Sequence, residues 1–135
     1  MINMSEAAVI ALHSMVYIAN RKNEIHSLKS VSAFFEISPN HLSKVLQRLV
    51  KAGYLISVKG PQGGFKLHEG KENSTLLEIY EVIEGKYTPA KCLFICPILP
   101  EHQCMMEPLV KDMDEIFRKF MTGNTISTLK IQNIT

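Results

Sequence analysis

The stretch "SPNHLSKVLQRLVKAGYLISVKGPQGGFKL", from Ser38 to Leu67, constrains the fold more than any other part of this chain. Ser38 suits a helix N-cap, and Pro39 suits the first helical position, where its missing N–H costs nothing. Leu42, Val45, Leu46 and Leu49 recur at helical spacing and form one apolar stripe. Gly53 stands where a helix is expected to end. Asn40, His41, Ser43, Lys44, Gln47, Arg48 and Lys51 are left for the other faces. Tyr54 to Val58 and Phe65 to Leu67 are rich in β-forming residues, and "KGPQGG" between them supplies turn residues. A polar, basic helix running straight into a glycine-tipped hairpin is the second half of a winged helix-turn-helix.

The upstream residues supply the first half. Ser5 can cap a helix running to Asn20, "SEAAVIALHSMVYIAN", which is apolar nearly all round and so expected to be buried on more than one side. "RKNEIH" reads as a loop with one short extended piece. Ser27 or Ser30 opens a second helix, "LKSVSAFFE", ended by Ile37. Two helices joined by a short turn, the second polar on its outer face, make the helix-turn-helix pattern.

Charge follows the same division. The 135 residues carry a net charge of only +2, but residues 20–71 hold nine Lys/Arg against three Asp/Glu, a local +6. Such asymmetry points to a polyanionic partner. No catalytic signature accompanies it: there is no HExxH or GxSxG. "KGPQGG" leads into a strand, whereas a phosphate-binding loop leads into a helix. A DNA-binding regulator is therefore expected, in preference to a small enzyme or metal carrier on the same fold.

Beyond the hairpin, Ser74 is expected to cap a short helix, "TLLEIYEVIEG", closed by Gly85. "KYTPAKCLFICPILPEHQC" contains three prolines and reads as a loop. Met106, Leu109, Val110, Met113, Ile116, Phe117, Phe120 and Met121 then form a wide apolar stripe on a long helix, with Lys111, Asp112, Asp114, Glu115 and Arg118 opposite. That helix could close the monomer's own core, and it is also a good dimerisation element. The methionines suit packing better than metal ligation. The tail, "TISTLKIQNIT", starts weakly helical and loses its periodicity. The predicted fold is mainly α with a small β-hairpin: a winged helix-turn-helix plus a long C-terminal dimerisation helix. Its parts are a DNA-binding unit over 1–85, a cysteine-bearing sensor loop over 86–104, and the dimerisation helix and tail over 105–135.

All three cysteines, Cys92, Cys96 and Cys104, fall in that proline-broken loop. An odd number cannot pair fully into disulfides. With few clustered thiols and no basic-then-apolar leader, a reducing cytoplasm is the expected compartment. No apolar run approaches the roughly 20 residues of a membrane helix. The thiols could bind an iron–sulfur cluster, act as a metal-free redox switch, bind zinc or simply pack. Zinc is disfavoured because the spacing lacks paired C-x2-C knuckles.

"ALHSMVYIA", "ISPNHLSKVLQRLVKAGYLISVKGPQGGFKL" and "STLLEIYEVIEG", followed by a cysteine-bearing loop and a long helix, resemble the Rrf-two family of winged-helix bacterial transcriptional regulators over roughly residues 4–130. The wing signature is the specific part, with Lys59 standing where the family usually has Arg. The resemblance implies a homodimer that binds a palindromic operator in double-stranded DNA. By position, Ser38, Asn40, His41, Ser43 and Lys44 match the base- and phosphate-facing start of the recognition helix, and Lys59 and Gln62 match the wing contacts. Arg48 and Lys51 are further candidate backbone contacts, with a merely solvated position as the alternative. The resemblance also implies an iron–sulfur cluster, 2Fe–2S or 4Fe–4S, with iron bound by Cys92, Cys96 and Cys104. His13 or His102 is a possible additional ligand, and Glu101 and Glu107 are nearby alternatives. The gaps, x3 and x7, depart from the more even spacing of cluster-binding members and leave open whether Cys96 is a ligand. The alternative is a cluster-free regulator acting by thiol oxidation or by binding a partner protein.

Overall fold

A computed structural model describes residues 4–89 and 105–131. Helix α1 spans Glu6–Ala19, with Ser5 as N-cap accepting from the Ala8 N–H. Ala8, Ala11, Met15 and Ile18 are fully buried, and Ile10, Leu12, Val16 and Tyr17 nearly so. A helix apolar all round becomes the central element against which others pack. Helix α2 (Leu28–Phe35) is capped by Ser27 and ends at Glu36, which takes the left-handed conformation at φ 54°. That sharp reversal is secured by Ile37 N–H donating to the Ser32 carbonyl at 3.1 Å and by the Ser32 hydroxyl donating to the Ile37 carbonyl at 2.5 Å. It turns the chain into helix α3 (Pro39–Lys51), whose N-cap is Ser38. Leu42, Val45, Leu46 and Leu49 bury the predicted stripe almost completely.

Strands β1 (Leu55–Val58) and β2 (Gly64–Leu67) pair antiparallel, with Leu55 opposite Leu67 and Val58 opposite Gly64. The extended piece in "RKNEIH" is His26, which exchanges two 2.8 Å backbone hydrogen bonds with Phe65 and so adds a third backbone strip to the hairpin base. Two glycines make this geometry possible. A Cβ on Gly63 would lie 2.1 Å from the Val58 carbonyl oxygen, and one on Gly64 would lie 2.2 Å from that of His26.

Helix α4 (Leu76–Glu84) is capped one residue later than expected. Thr75, not Ser74, is the N-cap, and a reciprocal capping box joins it to Glu78. Ser74 is buried instead, and its carbonyl accepts from the Ile126 N–H. Helix α5 spans Glu107–Gly123. Its stripe divides between two roles. Val110 and Met121 are buried and Phe117 packs on the core, whereas Leu109, Ile116 and Phe120 remain exposed. After α5 the chain extends beside the start of α4 through a Thr75–Thr125 bridge. Ile126 is driven fully into the core, and Asn20 clasps the Leu129 carbonyl and the Ile131 N–H. The tail's missing periodicity has this cause: it is held by bridges to other elements and not by its own face. No helix among the described residues is long and apolar enough to cross a membrane.

Candidate nucleic-acid interface

The outer surface of α3 is sorted by angle. At 100° per residue, Asn40, Ser43, Lys44, Gln47 and Lys51 fall on one line along the helix. Asn40, Lys44, Gln47 and Lys51 are exposed, and Ser43 is half-exposed. His41 and Arg48 lie roughly 90° away on the flank. There His41 Nδ1 stands 4.0 Å from a Glu6 carboxylate oxygen at the start of α1. Arg48 Nη2 donates to the Ile83 carbonyl at 2.9 Å and to that of Val82 at 3.4 Å. Two residues placed with the recognition surface by sequence position thus make intramolecular contacts. Gln47, not among the expected contacts, and Lys51, paired with Arg48 as an expected backbone contact, complete the outward line. Their signal was the i, i+3, i+4, i+7, i+11 spacing from Asn40.

The N-terminus of α3 is built for polar contact. Ser38 is exposed, and its hydroxyl accepts from the His41 N–H at 3.5 Å. Pro39 occupies the first turn without an N–H. Ser38, Pro39 and Asn40 are exposed, so the positive end of the helix dipole is open to an anionic partner. The Gly53 turn passes directly from α3 into β1, with Tyr54 N–H donating to the Leu49 carbonyl at 3.0 Å. Lys59, Gly60, Pro61 and Gln62 form an exposed hairpin tip.

Of the expected cofactor residues, Cys92, Cys96, Cys104 and His102 lie outside the described residues. Among the described residues no group of three His, Cys, Asp or Glu is placed to hold a metal. His13 is exposed on α1, with Nδ1 2.8 Å from the Val9 carbonyl oxygen and its ring edge-on to Phe35 at 6.3 Å. It borders an apolar groove of about 400 Å³ lined by residues such as Leu12, Val16, Phe117, Phe120 and Leu129. His13 is thus a surface residue of a helix that is otherwise largely buried.

The segment leaving α4 is tied down before Ala90. Tyr87 N–H donates to Glu81 Oε2 at 2.7 Å, and its hydroxyl donates to the Asp114 carboxylate of α5. Its ring packs on Phe117 at 5.2 Å and Tyr80 at 6.0 Å. Burial, reinforced by the hydrogen bond to Asp114 and that carboxylate's charge, pushes the Tyr87 phenol up to about 12.

A helix-turn-helix whose second helix presents a polar, basic line and runs into a glycine-tipped hairpin defines a winged-helix protein. Residues 4–131 match the Rrf2 family, described as an iron-dependent transcriptional regulator, and the chain belongs to that family. A relative from Aquifex aeolicus, provisionally named an HTH-type transcriptional regulator, is 27% identical over 128 residues, covering 93% of this chain and 89% of that one. The HTH-type transcriptional regulator NsrR of Bacillus licheniformis is 29% identical over 83 residues, covering 61% of this chain. That alignment spans 58% of NsrR's length. The crystal structure of oxidised CymR from Staphylococcus aureus shares the fold, with a TM-score of 0.75 at 21% identity, covering 99% of this chain and all of that one.

Proposed function

We propose that this transcriptional regulator binds a palindromic operator as a homodimer in the cytoplasm. In this reading α3 lies in the major groove and the hairpin tip lies against the flanking minor groove. The observation that carries it is the exposed line Asn40–Ser43–Lys44–Gln47–Lys51, beginning at a helix N-terminus and followed by a tip bearing Lys59 and Gln62. Asn and Gln amides suit bidentate pairing with adenine, and lysines suit phosphate or guanine. Ser38 and Ser43 suit phosphate. Residues 1–85 are the binding unit, 86–104 the sensor and 105–135 the dimerisation element. The exposed line of Leu109, Ile116 and Phe120 on α5 supports a dimer seam.

Cys92, Cys96 and Cys104 would hold an iron–sulfur cluster. The donor set fits, because three soft thiolates within a short span suit iron–sulfur chemistry. His13 fits as a further ligand: in the tautomer donating from Nδ1 to the Val9 carbonyl, Nε2 is left free, the arrangement common in metal-binding histidines. When bound, the cluster supplies a centre sensitive to redox state, nitric oxide or cluster supply.

Fluorescence anisotropy against a pool of promoter DNA tests the first part. With Lys44, Lys51 and Lys59 on phosphates in both protomers, log K should fall with log salt at a slope of roughly −5. Lys51→Ala should flatten that slope by about two per dimer with no loss of fold. Salt-independent binding, or none, refutes this reading. An anaerobic ultraviolet–visible spectrum with iron and sulfide analysis tests the second part. Cys92→Ala and Cys104→Ala should each lose the chromophore, and Cys96→Ala decides that residue's role. A colourless, iron-free parent protein would replace the cluster with thiol oxidation or partner binding.

A further inference from the structure

Arg48 lies on the recognition helix, yet its guanidinium bonds to α4. Helix α4 has no basic residue in its last turn, so its C-terminal carbonyls and the negative end of its dipole lack a cationic partner of their own. Arg48 supplies one from another helix, donating to the carbonyls of Val82 and Ile83.

The same turn is gripped from two more sides. Glu84 accepts from the backbone N–H and hydroxyl of Ser5, the N-cap of α1. Glu81 accepts from the Tyr87 N–H, while Tyr87 itself is fastened to Asp114 and its ring sits edge-on to Tyr80 and tilted on Phe117. One helical turn therefore meets the recognition helix, the start of the central helix and the segment that leads from α4.

The geometry points to Arg48 as a positioning residue. It sets the recognition helix against the last turn of α4, so that the state of the Tyr87–Asp114 anchor is passed to the DNA-facing line of α3. This rests on the reading of α3 as the DNA-binding helix. The competing role for Arg48 is a direct phosphate contact. The two roles differ in what they couple to. A phosphate contact is indifferent to Tyr87, whereas a positioning contact depends on it. A positioning contact also adds no counterion release of its own.

The experiment compares the full-length parent, Arg48→Met, Tyr87→Phe and the double variant. Amide spectra come first, because they need no DNA. Tyr87→Phe should shift the amides of α3 around Gln47 to Lys51 in the parent and leave them still in the Arg48→Met background. DNA anisotropy follows. Each single variant should weaken operator binding roughly tenfold with an unchanged salt slope, and the double variant should be no weaker than either. Three outcomes overturn the proposal: shifts from Tyr87→Phe confined to α4 and α5, multiplicative losses in the double variant, or a salt slope altered by Arg48→Met in proportion to lost phosphate contacts. If the parent itself fails to bind any DNA, the DNA-binding reading falls, and the amide shifts still decide whether Tyr87 and α3 are coupled through Arg48. Thermal melts of all four proteins, recorded alongside, separate a loss of fold from a loss of coupling.

Discussion

Replacing Ile116 with Ala tests the dimer seam where the single chain makes the clearest statement. Ile116 is 70% exposed, and Phe120 and Leu109, at 51% and 46%, lie on the same line of α5 at i+4 and i−7. Three large apolar side chains in one row leave 46–70% of their surface uncovered by the protomer. The three carbons removed by Ile→Ala are worth roughly 0.8 kcal/mol each when fully buried. Scaled to the surface still exposed, that is about 1.5 kcal/mol per protomer, and about 3 kcal/mol for a two-fold interface in which both copies contribute. The dimer dissociation constant should therefore rise by roughly two orders of magnitude. The protomer should lose less than about 0.5 kcal/mol, because little of the side chain is covered and alanine is the better helix former. Sedimentation velocity over a concentration series measures the first quantity. Far-ultraviolet circular dichroism of the diluted variant checks the second. A dissociation constant within about threefold of the parent's would place the dimer seam elsewhere, since 3 kcal/mol cannot be hidden in a factor of three.

Gly64→Ala should cost about 2–3 kcal/mol in urea denaturation, because its Cβ would collide with the His26 carbonyl and break the two bonds to Phe65. Gly123→Ala, with open space around it, should be neutral or stabilising and serves as the control. Ser14→Ala should raise stability by about 1 kcal/mol, since the buried Ser14 hydroxyl has no hydrogen-bond partner among the described residues. The raised phenol of Tyr87 contributes stability that is complete below pH 10 and fades as pH climbs through about 12. The difference in absorbance titration at 295 nm between the parent and Tyr87→Phe should accordingly show a late-ionising tyrosine, and an ordinary midpoint near 10 would refute the Asp114 bond.

Local signals carried most of the fold. The N-caps at Ser5, Ser27 and Ser38, the leucine stripe of α3 and the glycines of the hairpin are each decided within a few residues, and each stands where its chemistry predicts. The cap of α4 moved from Ser74 to Thr75 because both residues can cap, and the choice belongs to Glu78, three residues beyond Thr75, and to Ile126, which takes the Ser74 carbonyl from far along the chain. The tail was illegible for a similar reason. Ile126 is fully buried where its N–H bonds the Ser74 carbonyl and the Asn124 carbonyl accepts from Leu76, and no window of its own sequence contains that information.

The interface divides along the same line. Every polar residue of α3 looks equally available in the sequence, because a hydrophobic stripe defines only where the core lies. It leaves a wide arc over which a side chain can turn outward or sideways. Two of those residues are drawn sideways by partners that the sequence places far away: Glu6 for His41, and the bare C-terminal carbonyls of α4 for Arg48. What remains outward is a narrower line that includes Gln47 and Lys51. In the proposed reading, a helix that reads DNA and also responds to the rest of its protein needs both groups. The outward line can make contacts whose strength depends on pose, and the flank determines the pose. Arg48 is suited to the second task, because a guanidinium on helix-terminal carbonyls is directional, and a small rotation of α4's last turn changes where α3 can sit.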